Sequence, residues 1–116
     1  MPASPENHLS WAEFERVEMR VGTIIEACIF EEARKPAYKI IADFGEFGLR
    51  KTSAQITKRY VPEELIGKQI IAVLNFPPKQ IANIKSEFLL LGVLGTDQDV
   101  TLLVPDKPVE NGWRIA

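Results

Sequence analysis

Pro77 and Pro78 stand between two strongly apolar runs, KQIIAVLNF before them and EFLLLGVL after. Proline cannot donate to a sheet ladder and fixes its own φ, so no strand runs through the pair and pairing is expected to stop at Phe76. The segment NFPPKQIANIKSE, residues 75–87, therefore reads as an exposed connection between two strands. It carries Asn75, Lys79, Lys85 and Ser86, which can offer hydrogen bonds or positive charge to an anion, and binding residues concentrate on loops held by a rigid scaffold.

The rest of the chain reads as short strands with few helices. Ser10 and Glu13 form a capping box, with Leu9 and Phe14 spaced as a hydrophobic staple, so a short helix is expected from about Trp11 to Arg16. From Val17 to Phe30 the period is two, with Val17, Met19, Val21, Thr23, Ile25, Ala27 and Ile29 on one face of a long strand. Gly22 inside it marks a bend, bulge or barrel corner. After the polar turn Glu31–Pro36, a second strand alternates Tyr38, Ile40, Ala42 and Phe44 with Lys39 and Asp43. A third runs from about Phe47 to Ser53. Pro62, the adjacent Glu63 and Glu64, and Gly67 set the start and end of a helix of little more than one turn. Strands follow from about Gln69 to Phe76, Glu87 to Leu94 and Val100 to Val104, with a late turn at Asn111 and Gly112.

Five strands with a short helix between the third and fourth is the order of an OB-fold, a small, partly open Greek-key barrel used for oligonucleotides. A β-sandwich fragment shares the strand count, but calls for neither a Gly-kinked first strand nor a helix at that place. The expected architecture is thus all-β, a five-stranded OB barrel with a short N-terminal helix and a C-terminal strand extension. Residues 1–9 read as a tail and residues 10–116 as one domain. At 116 residues that domain can bury a core without disulfides or a structural metal.

Net charge is only −2, yet it is unevenly distributed. Residues 1–33 hold Arg16 and Arg20 against seven glutamates, a balance of −5. Residues 34–85 hold ten Lys and Arg against four acids, +6, and residues 86–116 balance at −3. Clustered Lys and Arg raise the local potential whatever the total, which suits an anionic partner; a solvated surface is the plainer reading.

Several chemistries find no support. His8 is alone in a polar tail, and Cys28, the single cysteine, reads as a small buried hydrophobe in a strand. Glu63 and Glu64 diverge on a helix. No phosphate loop, metal cluster or nucleophile elbow occurs, so no cofactor, metal or catalytic residue is expected. No run approaches the roughly 18 apolar residues of a membrane span and the N-terminus lacks a signal-peptide pattern, which together point to the cytoplasm.

The basic residues fall where the barrel order would gather them: Arg50 and Lys51 on the third strand, Lys58 and Arg59 before the helix, Lys79 and Lys85 in the opening loop. Ser53, Asn75 and Ser86 add small polar groups at strand ends; singly each is an ordinary turn former. Tyr38, Phe44, Phe76 and Phe88 suit core positions, and Tyr60 is uncommitted.

The runs FERVEMRVGTIIEA, KPAYKIIADFG, KTSAQITKRYVPEELIGKQIIAVLNFPPKQIANIKSEFLLLG and LLVPDKPVENGWRI resemble the CsaA branch of the tRNA-binding domain family, over residues 12–115. The shared signature is a strand ending in Asn, a loop with Pro and Lys, and a Lys-Ser pair leading into an apolar strand: here Asn75, Pro77, Pro78, Lys79, Lys85, Ser86 and Leu89 to Leu91. The resemblance implies a non-enzymatic OB-fold homodimer that binds tRNA, with a role proposed for the branch in holding unfolded precursor proteins for export. It also implies dimer contacts from the N-terminal helix and the C-terminal segment, where Trp11, Phe14 and Trp113 would supply apolar surface. One departure concerns Asn83, which stands where the family commonly has Gly before the Lys-Ser element; Asn tolerates a left-handed backbone better than most residues.

Overall fold

The computed structural model describes residues 7–116; of the N-terminal tail, residues 1–6 lie outside this range. Helix α1 (Trp11–Glu15) is followed by β1 (Met19–Ile29), β2 (Tyr38–Asp43), β3 (Leu49–Ala54), helix α2 (Pro62–Leu65) and β4 (Gln69–Val73). Five short strands then follow: β5 (Lys79–Ile81), β6 (Ile84–Ser86), β7 (Leu89–Leu90), β8 (Gly92–Leu94) and β9 (Val100–Leu102). The main sheet has the order β3-β2-β1-β4-β7, and every pairing in it is antiparallel. It nearly closes into a barrel, because the Glu87 N–H donates to the Lys51 carbonyl of β3 at 2.8 Å and the Thr52 hydroxyl donates to the Phe88 carbonyl at 2.8 Å. This is the expected five-stranded barrel of the OB type, with α2 between the third and fourth strands.

Both helices start as their sequences dictate. The Ser10 hydroxyl accepts from Glu13 N–H at 3.1 Å and the Glu13 carboxylate accepts from Ser10 N–H at 2.9 Å, so two otherwise orphaned donors are satisfied. At α2 only half of that box exists: the Glu64 carboxylate accepts from Val61 N–H, Pro62 fixes the first turn, and a valine has no oxygen to return.

The long first strand departs from strict alternation. Its register against β2 shifts between Ile24 and Glu26, a β-bulge, so the face that points inward changes parity. Ile24 is fully buried and Ala27 packs on the core, whereas Ile25 and Ile29, expected on the same face as Val21, are exposed. Gly22 does not itself carry the bulge. It admits the Phe44 ring: a Cβ there would fall 2.5 Å from Phe44 Cε1. The core thus assembles around Phe44 and Phe88, which meet edge to face at 5.0 Å, with Ile40, Leu65 and Ile70 fully buried about them.

Three further expectations are corrected. Residues 75–87 are not a simple connection, because β5 and β6 pair within them as a hairpin, Lys79 opposite Ser86 and Ile81 opposite Ile84. The apolar run after it is broken at Leu91 into β7 and β8, since β7 pairs with β4 while β8 leaves to pair with β9. Cys28 is exposed.

The C-terminal segment lies along the first half of β1. Gly112 N–H donates to the Val21 carbonyl at 2.7 Å, Val21 N–H to the Trp113 carbonyl at 3.0 Å and Ile115 N–H to the Met19 carbonyl at 3.0 Å. Gly112 is required here, with φ 92° and no room for a Cβ beside the Phe44 carbonyl. Arg20 fastens the seam: its Nη1 donates to the Gly112 carbonyl, its Nη2 to Glu18, and its guanidinium lies 4.6 Å from the Phe47 ring centre.

Candidate nucleic-acid interface

The binding face of an OB barrel lies across its second and third strands, between the loop after the first strand and the loop after the fourth. Here those are residues 30–37 and the β5–β6 hairpin. They face each other over Ser53 and Gln55, forming an open cleft of about 580 Å³ whose walls carry Arg34 and Lys35 on one side and Gln80 on the other. A second groove of about 550 Å³ continues between β3 and the hairpin, with Ser53, Lys79 and Ser86 over an apolar bed that includes Phe88 and Leu90. Of the basic middle of the chain, Arg34, Lys35 and Lys79 line these two clefts.

The candidate residues divide by what their side chains already do. Asn75 bonds to backbone at both ends of its amide: its Oδ1 accepts from Glu18 N–H at 3.0 Å and its Nδ2 donates to the Arg16 carbonyl at 2.6 Å. It therefore ties the base of the hairpin to the end of α1. Arg50 donates from Nη1 to the Leu74 carbonyl at 3.0 Å and from Nε to the Phe47 carbonyl at 3.4 Å, bridging β3 to the end of β4. Arg59 forms a two-pronged pair with Asp99, at 2.5 and 2.9 Å. That pairing holds the Asp99 carboxyl below the ordinary carboxylate range and raises Arg59, chiefly through the hydrogen bond between them.

Lys51, Lys58, Lys79 and Lys85 are different. All four are exposed, and among the described residues none forms an ion pair at salt-bridge distance. Lys79 sits on β5 facing Ser86, and Lys85 lies opposite Gln80. Ser53, half-buried on β3, lies in both clefts. Ser86 Oγ is 2.5 Å from the Thr52 hydroxyl, whose own proton goes to the Phe88 carbonyl. Since each hydroxyl has one proton, Ser86 donates to Thr52 and keeps its lone pairs for an incoming donor. It suits a ribose hydroxyl or a base amine better than a phosphate.

Sequence reading passed over Arg34, Lys35 and Gln55. The first two were in the basic central block, and the barrel order already puts the loop after the first strand across from the hairpin, so the signal was present. Asn83 does not occupy the left-handed position of the hairpin turn. Ala82 does, with φ 48°, while Asn83 donates to Glu32 Oε2 across the cleft at 3.4 Å. Phe76, expected in the core, is exposed because Phe88 fills the seat beside Phe44.

Trp11 is 83% exposed and Trp113 54% exposed. Trp11, Phe14 and Leu9 line a small apolar cavity of about 330 Å³ with Ala116. The two chain ends therefore share one apolar corner, and Arg114 Nη2 closes it by donating to the Glu15 carbonyl at 2.8 Å.

The family model described as "Putative tRNA binding domain" matches residues 19–114. The chaperone CsaA of Bacillus anthracis str. Ames superposes with a TM-score of 0.90 at 49% identity, covering 94% of this chain and 99% of that one. The CsaA chaperone protein of Picrophilus torridus gives 0.86 at 50% identity, over 94% of this chain and 100% of the other. Among curated proteins, the methionine–tRNA ligase of Leptospira biflexa serovar Patoc is 37% identical over 109 residues, 94% of this chain but 16% of the ligase. The chain thus spans about a sixth of the length of such a relative. With the family model covering most of its length and CsaA structures matching 94% of it at about half identity, the chain belongs to the tRNA-binding domain family, as a CsaA-type member.

Proposed function

We propose that this protein binds tRNA without catalysing a reaction, on the face formed by residues 30–37, β3 and the β5–β6 hairpin. The observation that carries this reading is that the β5–β6 hairpin, which bears Lys79 and Lys85, faces Arg34 and Lys35 through its Gln80 across a cleft with Ser53 and Gln55 between them. Lysines outside ion pairs can neutralise phosphates and release counterions, giving affinity that falls with salt, while structured RNA is read by shape, sugar hydroxyls and splayed bases. Lys51, Lys79 and Lys85 supply phosphate contacts, and Ser53 and Ser86 polar contacts. Lys58, Arg50, Arg59 and Asn75 are assigned supporting places, the last three because their side chains already hold backbone or Asp99. The test is a filter-binding titration of tRNA over a range of salt. Lys85→Ala should weaken binding whatever the tRNA and lower the slope of log affinity against log salt by about one. An unchanged slope would remove Lys85 from the contact set.

The protein acts as a homodimer in the cytoplasm, residues 10–116 forming one domain, with Trp11, Phe14 and Trp113 in the subunit contact. The support is the exposure of Trp11 and Trp113 and the apolar corner that Trp11 and half-buried Phe14 share. A second reading is that the protein holds unfolded precursor proteins for export. It is favoured by the exposed apolar side chains of β8 and beyond, with Leu94 82% exposed, beside the apolar bed of the second groove. Competition between tRNA and an unfolded polypeptide separates the two: mutual displacement means one surface, independent binding means two.

A further inference from the structure

Phe76 is a large ring left in the open by a rigid backbone. It is 59% exposed, and Leu89 beside it 47% exposed. Asn75, immediately before it, is fixed by two hydrogen bonds to the end of α1, and Pro77 and Pro78, immediately after it, have φ set by their rings. The ring is thus held on both sides by a backbone with little freedom to turn it inward. The interior has no place for it, because Phe88 already packs against Phe44. Phe76, Pro77 and Leu89 instead wall a cavity of about 360 Å³ with Phe88 beneath. Lys79 and Ser86 stand at its rim, and so does Glu87, whose Oε1 accepts from Lys51 N–H at 3.1 Å.

We propose that this cavity is a nucleobase subsite, in which one unstacked base of the bound RNA lies on the Phe76 ring while Lys79 holds the adjoining phosphate. The inference rests on the RNA-binding reading above and adds to it a specific contact. A fixed aromatic face beside a cation is the combination that single-stranded nucleic acid uses, since every base offers a π-face and every nucleotide an anion. The Ser86 lone pairs and the Glu87 carboxylate at the same rim accept hydrogen bonds, which favours a base carrying an exocyclic amine over uracil.

The experiment measures affinity for unfractionated tRNA, and for oligoadenylate and oligouridylate, against salt. It uses the whole protein and its Phe76→Ala, Phe76→Leu and Phe76→Trp variants. Phe76→Ala should weaken tRNA binding about tenfold with the salt slope unchanged, because a stacking face is lost and no charge is. Phe76→Leu, which keeps apolar bulk and so protects the fold, should lose nearly as much, Phe76→Trp should retain full affinity, and oligoadenylate should bind better than oligouridylate. Wild-type affinity in both Phe76→Ala and Phe76→Leu would overturn the subsite while leaving tRNA binding intact. A wild-type protein that binds no tRNA would overturn the parent reading as well. If the Ala and Leu variants instead lose only binding of an unfolded polypeptide, or change the sedimentation mass, the ring belongs to a protein contact and the proposal falls.

Discussion

Ile40, Phe44 and Ile70 in the barrel are fully buried, whereas in the β5–β6 hairpin Lys79, Gln80 and Lys85 are exposed and Ile81, Ile84 and Ser86 are only half covered. The barrel is held by packed apolar area, so its strands need not carry any particular charge. The hairpin is too small to bury a core of its own, and two-stranded ribbons are marginal when alone. It is held at its ends instead: by Asn75 to the end of α1, by Ser86 to Thr52, and by Glu87 to Lys51. The lesson is that polar side chains around the hairpin divide, some positioning it and others, such as Lys79 and Lys85, standing outside any ion pair among the described residues.

This contrast can be broken first in the barrel. Phe44→Ala should cost about 3–5 kcal/mol, since the ring is wholly buried, closes on Gly22 and supports Phe88; chemical denaturation would read the loss. Such a variant weakens RNA binding only through the fraction unfolded. Asn75→Ala comes next, at about 1 kcal/mol from two hydrogen bonds to partly solvated backbone. Its signature is mixed: a small drop in melting temperature with weaker tRNA binding at an unchanged salt slope, because position is lost and charge is not. A slope lowered in the manner of Lys85→Ala would show that Asn75 contacts phosphate after all.

The smallest effect concerns acid. Glu13, Glu18 and Asp99 all titrate below their ordinary values, Glu13 through the Ser10 backbone, Glu18 through the hydrogen bond from Arg20, and Asp99 through Arg59. A folded-state value below the unfolded one contributes stability that is present above the unfolded value, about pH 4, and is lost as pH falls through the folded one. The melting temperature should therefore be flat from pH 8 to 5 and fall below about pH 4, with a shallower fall in Glu18→Gln. A decline already under way at pH 6 would point to a different group.

The fold was legible where local pattern and packing agree. Tyr38, Ile40 and Ala42 alternate and are buried as alternation requires, and Ser10 with Glu13 announces α1 correctly. It was illegible where one residue's environment is set far away. Gly22 signals an irregularity in the strand, but nothing in the sequence places the bulge between Ile24 and Glu26, where it turns Ile25 and Ile29 outward. The hairpin strands, of three residues each, are too short to show a period. Phe76 and Phe88 flank the same loop with equal claim on the core, and only the closed barrel shows that one seat exists. The site was half legible for a similar reason. Charge patterning picks out lysines that the fold leaves exposed, but it is blind to the backbone carbonyls that take up Arg50 and to the Asp99 that pairs with Arg59, 40 residues on.

The stitching of the C-terminal segment along β1 has a topological consequence. Arg114 reaches the Glu15 carbonyl, and Leu9 and Ala116 line one cavity, so the described ends of the chain emerge at a single corner. A linker joined at either end starts from the same place, so the barrel can be hung from another polypeptide by its head or by its tail with little change in how it is presented. By the same geometry, a circular permutant that joins the two ends and opens the loop at residues 31–36 should retain the strand order of the barrel.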